Sequence, residues 1–148
     1  MILENLSPLI LYLILVLGTY FEGEIVAIIM GFFASEGYLS LYLVLLFAFL
    51  GAFLGDETFF FIGRYKGEKF FNRYPNLRKK TARAHRLLEK YHSLFIVGFR
   101  FLYGFRIVIP AMLGASKVKT SKFVFLNIIG ALIWSSVFVF GGYFFGLA

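Results

Sequence analysis

Apolar positions fall into four blocks along the chain, at 9–34, 39–62, 94–115 and 123–148, and most of the charge is gathered between them, at 64–92 and 117–122. A helix needs roughly 20 apolar residues to cross a hydrocarbon core. The blocks at 39–62 and 123–146 satisfy this and are predicted transmembrane helices. The first block is interrupted near its middle by Gly18-Thr19-Tyr20-Phe21-Glu22-Gly23-Glu24. Two arms of about ten residues remain, each rising about 15 Å, half the core. Gly98, Gly104 and Pro110 loosen the block at 94–115 in a similar way. Irregular backbone at membrane depth is tolerated where protein buries it. The pattern therefore predicts an all-α integral membrane protein, with re-entrant helical hairpins at 8–34 and 94–115 and transmembrane helices at 39–62 and 123–146.

Composition and charge sharpen this. The chain has 148 residues, is 60% hydrophobic and has a mean hydropathy of +0.83, more apolar than soluble domains. One domain over 1–148 is expected. Its net charge of +7 does not point to nucleic acid, because ten of the fifteen Lys and Arg lie between 64 and 90 and three more are Lys117, Lys119 and Lys122. Such clusters beside membrane spans mark cytoplasmic segments. A hairpin at 94–115 that enters and leaves on the cytoplasmic side keeps these thirteen cations on one face, with both termini outward. Within 64–92, Pro75-Asn76 can start a helix whose weakly apolar face is Leu77, Thr81, Ala84, Leu88 and Tyr91. The segment reads either as a helix on an anionic lipid surface or as a solvated loop. Glu4, in place of a basic leader, argues against a signal peptide. With no cysteine there is no disulfide or thiolate metal site, and no cofactor or metal is expected.

The halves resemble each other. Gly51-Ala52, Phe59, Phe61, Gly63 and Gly67 are matched in order and spacing by Gly130-Ala131, Phe138, Phe140, Gly142 and Gly146. Upstream, Gly23, Ala34-Ser35 and Ser40 are matched by Gly104, Ala115-Ser116 and Ser121. A hairpin followed by a span, repeated in opposite direction, is the pseudo-inverted repeat of many secondary transporters, which build their site from discontinuous helices at the midplane.

Six ionisable residues interrupt the apolar blocks: Glu22, Glu24, Asp56, Glu57, Arg100 and Arg106. Charges in a bilayer are costly and commonly mark a functional path. Glu22 and Glu24 sit at the break of the first hairpin, and Arg100 and Arg106 flank that of the second, so acid meets base if the tips meet. Two readings stand. The six can be a self-neutralising ion-pair network. Alternatively, the arginines can receive an anionic group such as phosphate, with Glu22 and Glu24 in the same cavity and Glu24 or Asp56 titrating protons. Asp56 and Glu57 are adjacent and point about 100° apart on a helix, so they form no dyad, and Glu57 reads as an interface residue near Arg64. Gly51-x-x-x-Gly55 is a close-packing motif. His85 and His92 read as surface residues.

Glu22-Gly23-Glu24 with Gly31, then Gly51-x-x-x-Gly55-Asp56 through Gly63-Arg64-x-x-Gly67, then Phe99-Arg100-Phe101-x-x-Gly104-x-Arg106 with Pro110 and Gly114-Ala115, then Asn127-x-x-Gly130-x-x-x-Trp134 with Gly142-Tyr143 follow one another along the chain. Together these motifs resemble the DedA family, whose common domain is also called VTT or SNARE-associated Golgi protein. The resemblance implies a multi-pass inner-membrane protein with two opposed re-entrant hairpins that acts on lipids. Bacterial members are associated with recycling undecaprenyl phosphate or other phospholipids, and with proton-motive-force-dependent envelope homeostasis; eukaryotic relatives are scramblases. The resemblance carries the family's acidic hairpin position to Glu24, its span aspartate to Asp56 and its hairpin arginines to Arg100 and Arg106. It departs at Glu22 and Tyr103, where the family commonly has proline, and it reads as a minimal or shortened member.

The functional expectation is a translocase of phosphate-headgroup lipids, possible proton coupling included, with membrane lipids as partners and a homo-oligomer open. The alternative is a proton-coupled transporter of a small anion or solute. No nucleophile triad or aspartate-rich metal motif supports an enzyme.

Overall fold

The computed structural model describes residues 7–21, 23–102 and 105–148. Among them the regular structure is helical throughout, as expected: α1 (Pro8–Phe21), α2 (Glu24–Ser35), α3 (Leu41–Arg73), α4 (Pro75–Gly98), a 3-10 turn (Phe99–Phe101), α5 (Val108–Ala115) and α6 (Thr120–Leu147). Within α3 and α6, the stretches Leu41–Lys69 and Thr120–Leu147 are long and apolar enough to cross a membrane. α1 and α2, of 14 and 12 residues, are each shorter than the roughly 20 that a crossing needs.

Local chemistry sets the breaks. α2 ends through Gly37, which takes the left-handed φ of +81°, while the Tyr38 amide donates to the Phe33 carbonyl at 3.0 Å; glycine adopts this conformation without a side-chain clash. The helix expected to end near 62 runs on to Arg73. Its stop is Tyr74, which leaves helical geometry (φ −128°, ψ 80°) before Pro75, as the ring of a following proline requires. Pro75 then opens α4 from a first-turn position, where its missing N–H is no loss. Of the two readings of 64–92, the helical one therefore forms, and α4 continues to Gly98. The block expected at 94–115 is consequently divided unequally. Its first arm is the end of α4, and its second is the eight-residue α5, with Pro110 in the first turn.

The chain divides into two compact units: residues 1–55 with 131–148, and 56–130. The boundaries fall inside α3 and α6, so the first unit contains α1 and α2, the second contains α4 and α5, and each holds a part of each long helix. The first unit is built on Leu11, Leu15, Met30, Val44, Trp134 and Val139, and the Ser40 amide donates to the Tyr12 hydroxyl at 3.0 Å. Leu13 and Leu17 of α1 nevertheless face outward. A helix apolar on all sides suits an apolar solvent. The second unit packs Phe60, Ile96, Phe99, Leu113 and Phe123 together, with the rings of Phe60 and Phe123 stacked at 4.0 Å.

Each unit has a seam at which helix backbones touch. In the first, a Cβ on Gly31 would overlap the Val139 carbonyl, and one on Gly142 would overlap that of Ile28. In the second, a Cβ on Gly114 would overlap the Phe60 carbonyl, and one on Gly63 that of Ala111. A backbone oxygen cannot swing aside as a side chain can. Gly114→Ala is therefore expected to destabilise the protein by about 1–3 kcal/mol. Gly141 of α6 has nothing within 4 Å of its would-be Cβ, so Gly141→Ala is expected to stabilise by up to about 1 kcal/mol. Thermal unfolding of the two variants in detergent checks both signs; equal behaviour would contradict the seam.

Candidate functional site

Four elements of the second unit converge their polar side chains. α3 supplies Asp56 and Glu57, the 3-10 turn supplies Arg100, the segment before α5 supplies Arg106, and α6 supplies Asn127. All five are buried, Asn127 completely. The two carboxylates diverge on α3, as adjacent helical positions must, and each meets a different partner. Asp56 ion-pairs with Arg100, and its Oδ1 lies 3.7 Å from Arg106 Nε. Glu57 Oε1 accepts from Asn127 Nδ2 at 2.9 Å, while Asn127 Oδ1 accepts from Arg100 Nη2. The result is a continuous chain, Glu57–Asn127–Arg100–Asp56–Arg106, of two acids, two bases and one amide.

The formal charges in this chain cancel. The hydrogen bonding is less complete, because Arg100 Nε and Nη1 are buried without a hydrogen-bond partner on a side chain that is 0% exposed. Arginine presents five N–H donors in a fixed fork, so this guanidinium keeps donors beyond those that Asp56 and Asn127 engage. A planar fork with buried donors to spare is suited to carboxylate or phosphate oxygens.

Arg64 was grouped in the sequence with the flanking cations. It is half-buried, and it donates from Nη1 to the Ser116 carbonyl at 3.0 Å and from Nη2 to that of Val118. Its guanidinium lies 5.0 Å from the centre of the Phe60 ring. It thereby satisfies carbonyls left open beyond α5 and fixes the start of the α5–α6 connection to α3.

Asp56 meets Arg100 and Arg106, whereas the acids matched with these arginines in the sequence were Glu22 and Glu24. Glu24 opens α2 in the first unit, with buried Gly23 just before it. Glu22 and Gly104 lie outside the described residues. Gly51 and Gly55 lie where α3 meets α1, a Cβ on them overlapping Thr19 Oγ1 and the Tyr20 carbonyl respectively. Pro110 and Gly114 are buried in α5, and Trp134 lies in the first unit's core. Sequence reasoning missed two members. Glu57, read as an interface residue, is buried and joined to Arg100 through Asn127, which had carried no role. A lone amide within an apolar helix was the available signal, since a buried amide needs partners.

The VTT domain profile matches residues 21–144. The chain is 39% identical over 132 residues to Inner membrane protein YohD of Escherichia coli, covering 89% of this chain and 69% of that protein. It is 31% identical over 138 residues to Protein DedA of Escherichia coli, covering 89% and 63%. It is also 28% identical over 145 residues to Uncharacterized membrane protein YbfM of Bacillus subtilis, covering 93% and 90%. No solved structure matches the chain. A helical protein with two hydrocarbon-length apolar helices and this match belongs to the VTT-domain, or DedA, family of membrane proteins. It spans less than two thirds of the length of DedA itself.

Removing one member of a buried pair strands the other's charge, which costs about 3–5 kcal/mol. Asp56→Asn and Arg100→Met are each expected to destabilise on that scale. The double variant, which leaves Glu57 and Arg106 to balance, is expected to lose about 1–3 kcal/mol less than the sum. Unfolding free energies of the three variants in detergent measure this coupling, and strict additivity would contradict the pairing.

Proposed function

We propose that the protein is a translocator of phosphate-headgroup lipids, of the undecaprenyl phosphate or phospholipid kind, in the cytoplasmic membrane. The observation that carries this reading is the buried Arg100 guanidinium with two unpartnered nitrogens, Nε and Nη1, inside a charge-neutral cluster of a membrane protein. An ion-pair network evolved only to neutralise itself has no need of spare donors, whereas a phosphate has oxygens for them. Headgroup recognition by arginine leaves acyl chains free to remain in lipid, so an enclosed aqueous pore is unnecessary.

The proposed architecture is a multi-pass inverted repeat with re-entrant hairpins. Arms of 14 and 12 residues in the first hairpin support re-entry. The glycine seams support the repeat: Gly31 and Gly142 touch Val139 and Ile28 as Gly114 and Gly63 touch Phe60 and Ala111. Gly51 against Val16 and Thr19 is likewise repeated by Gly130 against Val97 and Arg100. These contacts match Gly31 with Gly114, which shifts the second arm by two residues from the register of Ala34-Ser35 with Ala115-Ser116. In this correspondence Thr19, Ala48 and Ser135 of the first unit stand where Arg100, Asn127 and Asp56 of the second do, so only the second unit carries these charges. Glu24, at the start of α2, is proposed to exchange protons during transport.

Purified protein in liposomes, given labelled phospholipid, labelled polyprenyl phosphate or inorganic phosphate with and without a pH gradient, tests the reading. Wild type is expected to move at least one of the lipids. Arg106→Lys keeps the charge and loses the fork, and its rate per folded molecule is expected to fall roughly tenfold or more, the equivalent of one charged hydrogen bond. Glu24→Gln is expected to lose any pH dependence. Movement of inorganic phosphate alone would assign a small-anion transporter instead, and wild-type rates in both variants would overturn the phosphate clamp.

A further inference from the structure

We infer that Glu57, held by Asn127, is the group that takes up a proton when an anion binds Arg100, and that Asp56 remains the fixed counter-ion. The inference rests on the anion-site reading above and adds to it where the compensating charge goes.

Two carboxylates and two guanidiniums sum to zero in a buried cluster, so an arriving phosphate oxyanion leaves at least one negative charge uncompensated. In a low-dielectric site the least costly remedy is for a neighbouring carboxylate to bind a proton. Two candidates adjoin Arg100, and their surroundings differ. Asp56 touches Arg100 directly and lies within 3.7 Å of Arg106. A proton on Asp56 would leave two cations facing a neutral acid.

Glu57 is placed otherwise. The charged or polar groups facing it are its neighbour Asp56 on α3, neutral Asn127 on α6 and Arg100 of the 3-10 turn, which reaches it through the same amide. Arg106 stands beyond Asp56, and Arg64, about two turns along α3, is committed to the Ser116 and Val118 carbonyls. The direct partner of Glu57 is thus an amide donor rather than a cation. Oε1 already accepts from Asn127 Nδ2, so a proton from solution would form its O–H bond at Oε2. A protonated carboxyl keeps one carbonyl acceptor, and the Asn127 bond survives in both states. Asn127 is therefore a positioning residue. Its Oδ1 is fixed by Arg100, which turns Nδ2 toward Glu57 and couples the acid to the guanidinium without placing a cation against it.

The test counts protons. Detergent-solubilised full chain is titrated with inorganic phosphate and, separately, with short-chain phosphatidic acid, by calorimetry in buffers of different ionisation enthalpy. These two probes distinguish a free anion from a lipid headgroup as the source of the phosphate chemistry. Wild type is expected to take up about one proton per anion above the Glu57 titration, with affinity rising roughly tenfold for each unit of falling pH in that range. Glu57→Gln mimics the protonated acid. It is expected to bind at neutral pH with the affinity that wild type reaches in acid, with that proton uptake and pH slope gone.

Wild-type proton uptake in Glu57→Gln, or anion binding by wild type without proton uptake, would overturn the inference. Failure of folded wild type to bind either probe would instead overturn the anion-site reading. If Glu57→Gln does not fold, infrared difference spectra on anion addition serve in a Glu24→Gln background. A protonated-carboxyl band that shifts with carbon-13 glutamate supports Glu57. A band that shifts with labelled aspartate, or no band, overturns it.

Discussion

The second unit depends on the requirement that charges carried on apolar helices of a membrane protein be compensated where they lie. A lone ionised group near the bilayer centre costs about 3 kcal/mol or more, comparable with a sizeable part of the stability of a small domain. Asp56 answers two guanidiniums, Asn127 joins Arg100 to Glu57, and the stacked Phe60 and Phe123 rings pack in the apolar core of the same unit. The charged and amide side chains come from four separate stretches of backbone, so the charge balance also fixes the local fold. An irregular 3-10 turn at Phe99–Phe101 is acceptable where its arginine is anchored by α3 and α6.

Close packing provides the second constraint. Hydrocarbon gives helices little hydrophobic reason to associate, so contact comes from small residues that let backbones approach. The seams at Gly31 with Gly142 and at Gly63 with Gly114 do this with carbonyl oxygens as the opposing surface. These seams bring α2 to α6 and α5 to α3. Arg64 adds a polar fastening at the α5–α6 connection, a use of a cation that positive-inside statistics alone do not suggest.

Much of the helical plan was legible in the sequence, because long apolar blocks and the helix start at Pro75 are local signals. The family was legible too, through Gly51 to Asp56, Arg100, Arg106 and Trp134 in order. The full length of α3 was not, since the polar run after 62 reads as loop by hydropathy although nothing in it breaks a helix before Tyr74. The site was legible in part. Asp56, Arg100 and Arg106 stood out as charges in apolar sequence, whereas the partnership of Glu57 with Asn127 depends on a distance across 70 residues that no local pattern encodes. The partners of the glycine seams were also hidden. Ala34-Ser35 and Ala115-Ser116 match as letters, while the backbone contacts follow Gly31 and Gly114.

The account's central claim is that the buried arginines hold a phosphate. The most direct measurement is a solid-state NMR distance between ligand phosphorus and arginine guanidinium nitrogen, with polyprenyl phosphate or phosphatidic acid bound to nitrogen-15-arginine protein in lipid. The account predicts a phosphorus–nitrogen separation of about 4 Å, set by charged hydrogen bonds, that disappears when Arg100 and Arg106 are both replaced by lysine. A bound phosphate with no arginine nitrogen at that distance, or one whose coupling survives the double replacement, would contradict it.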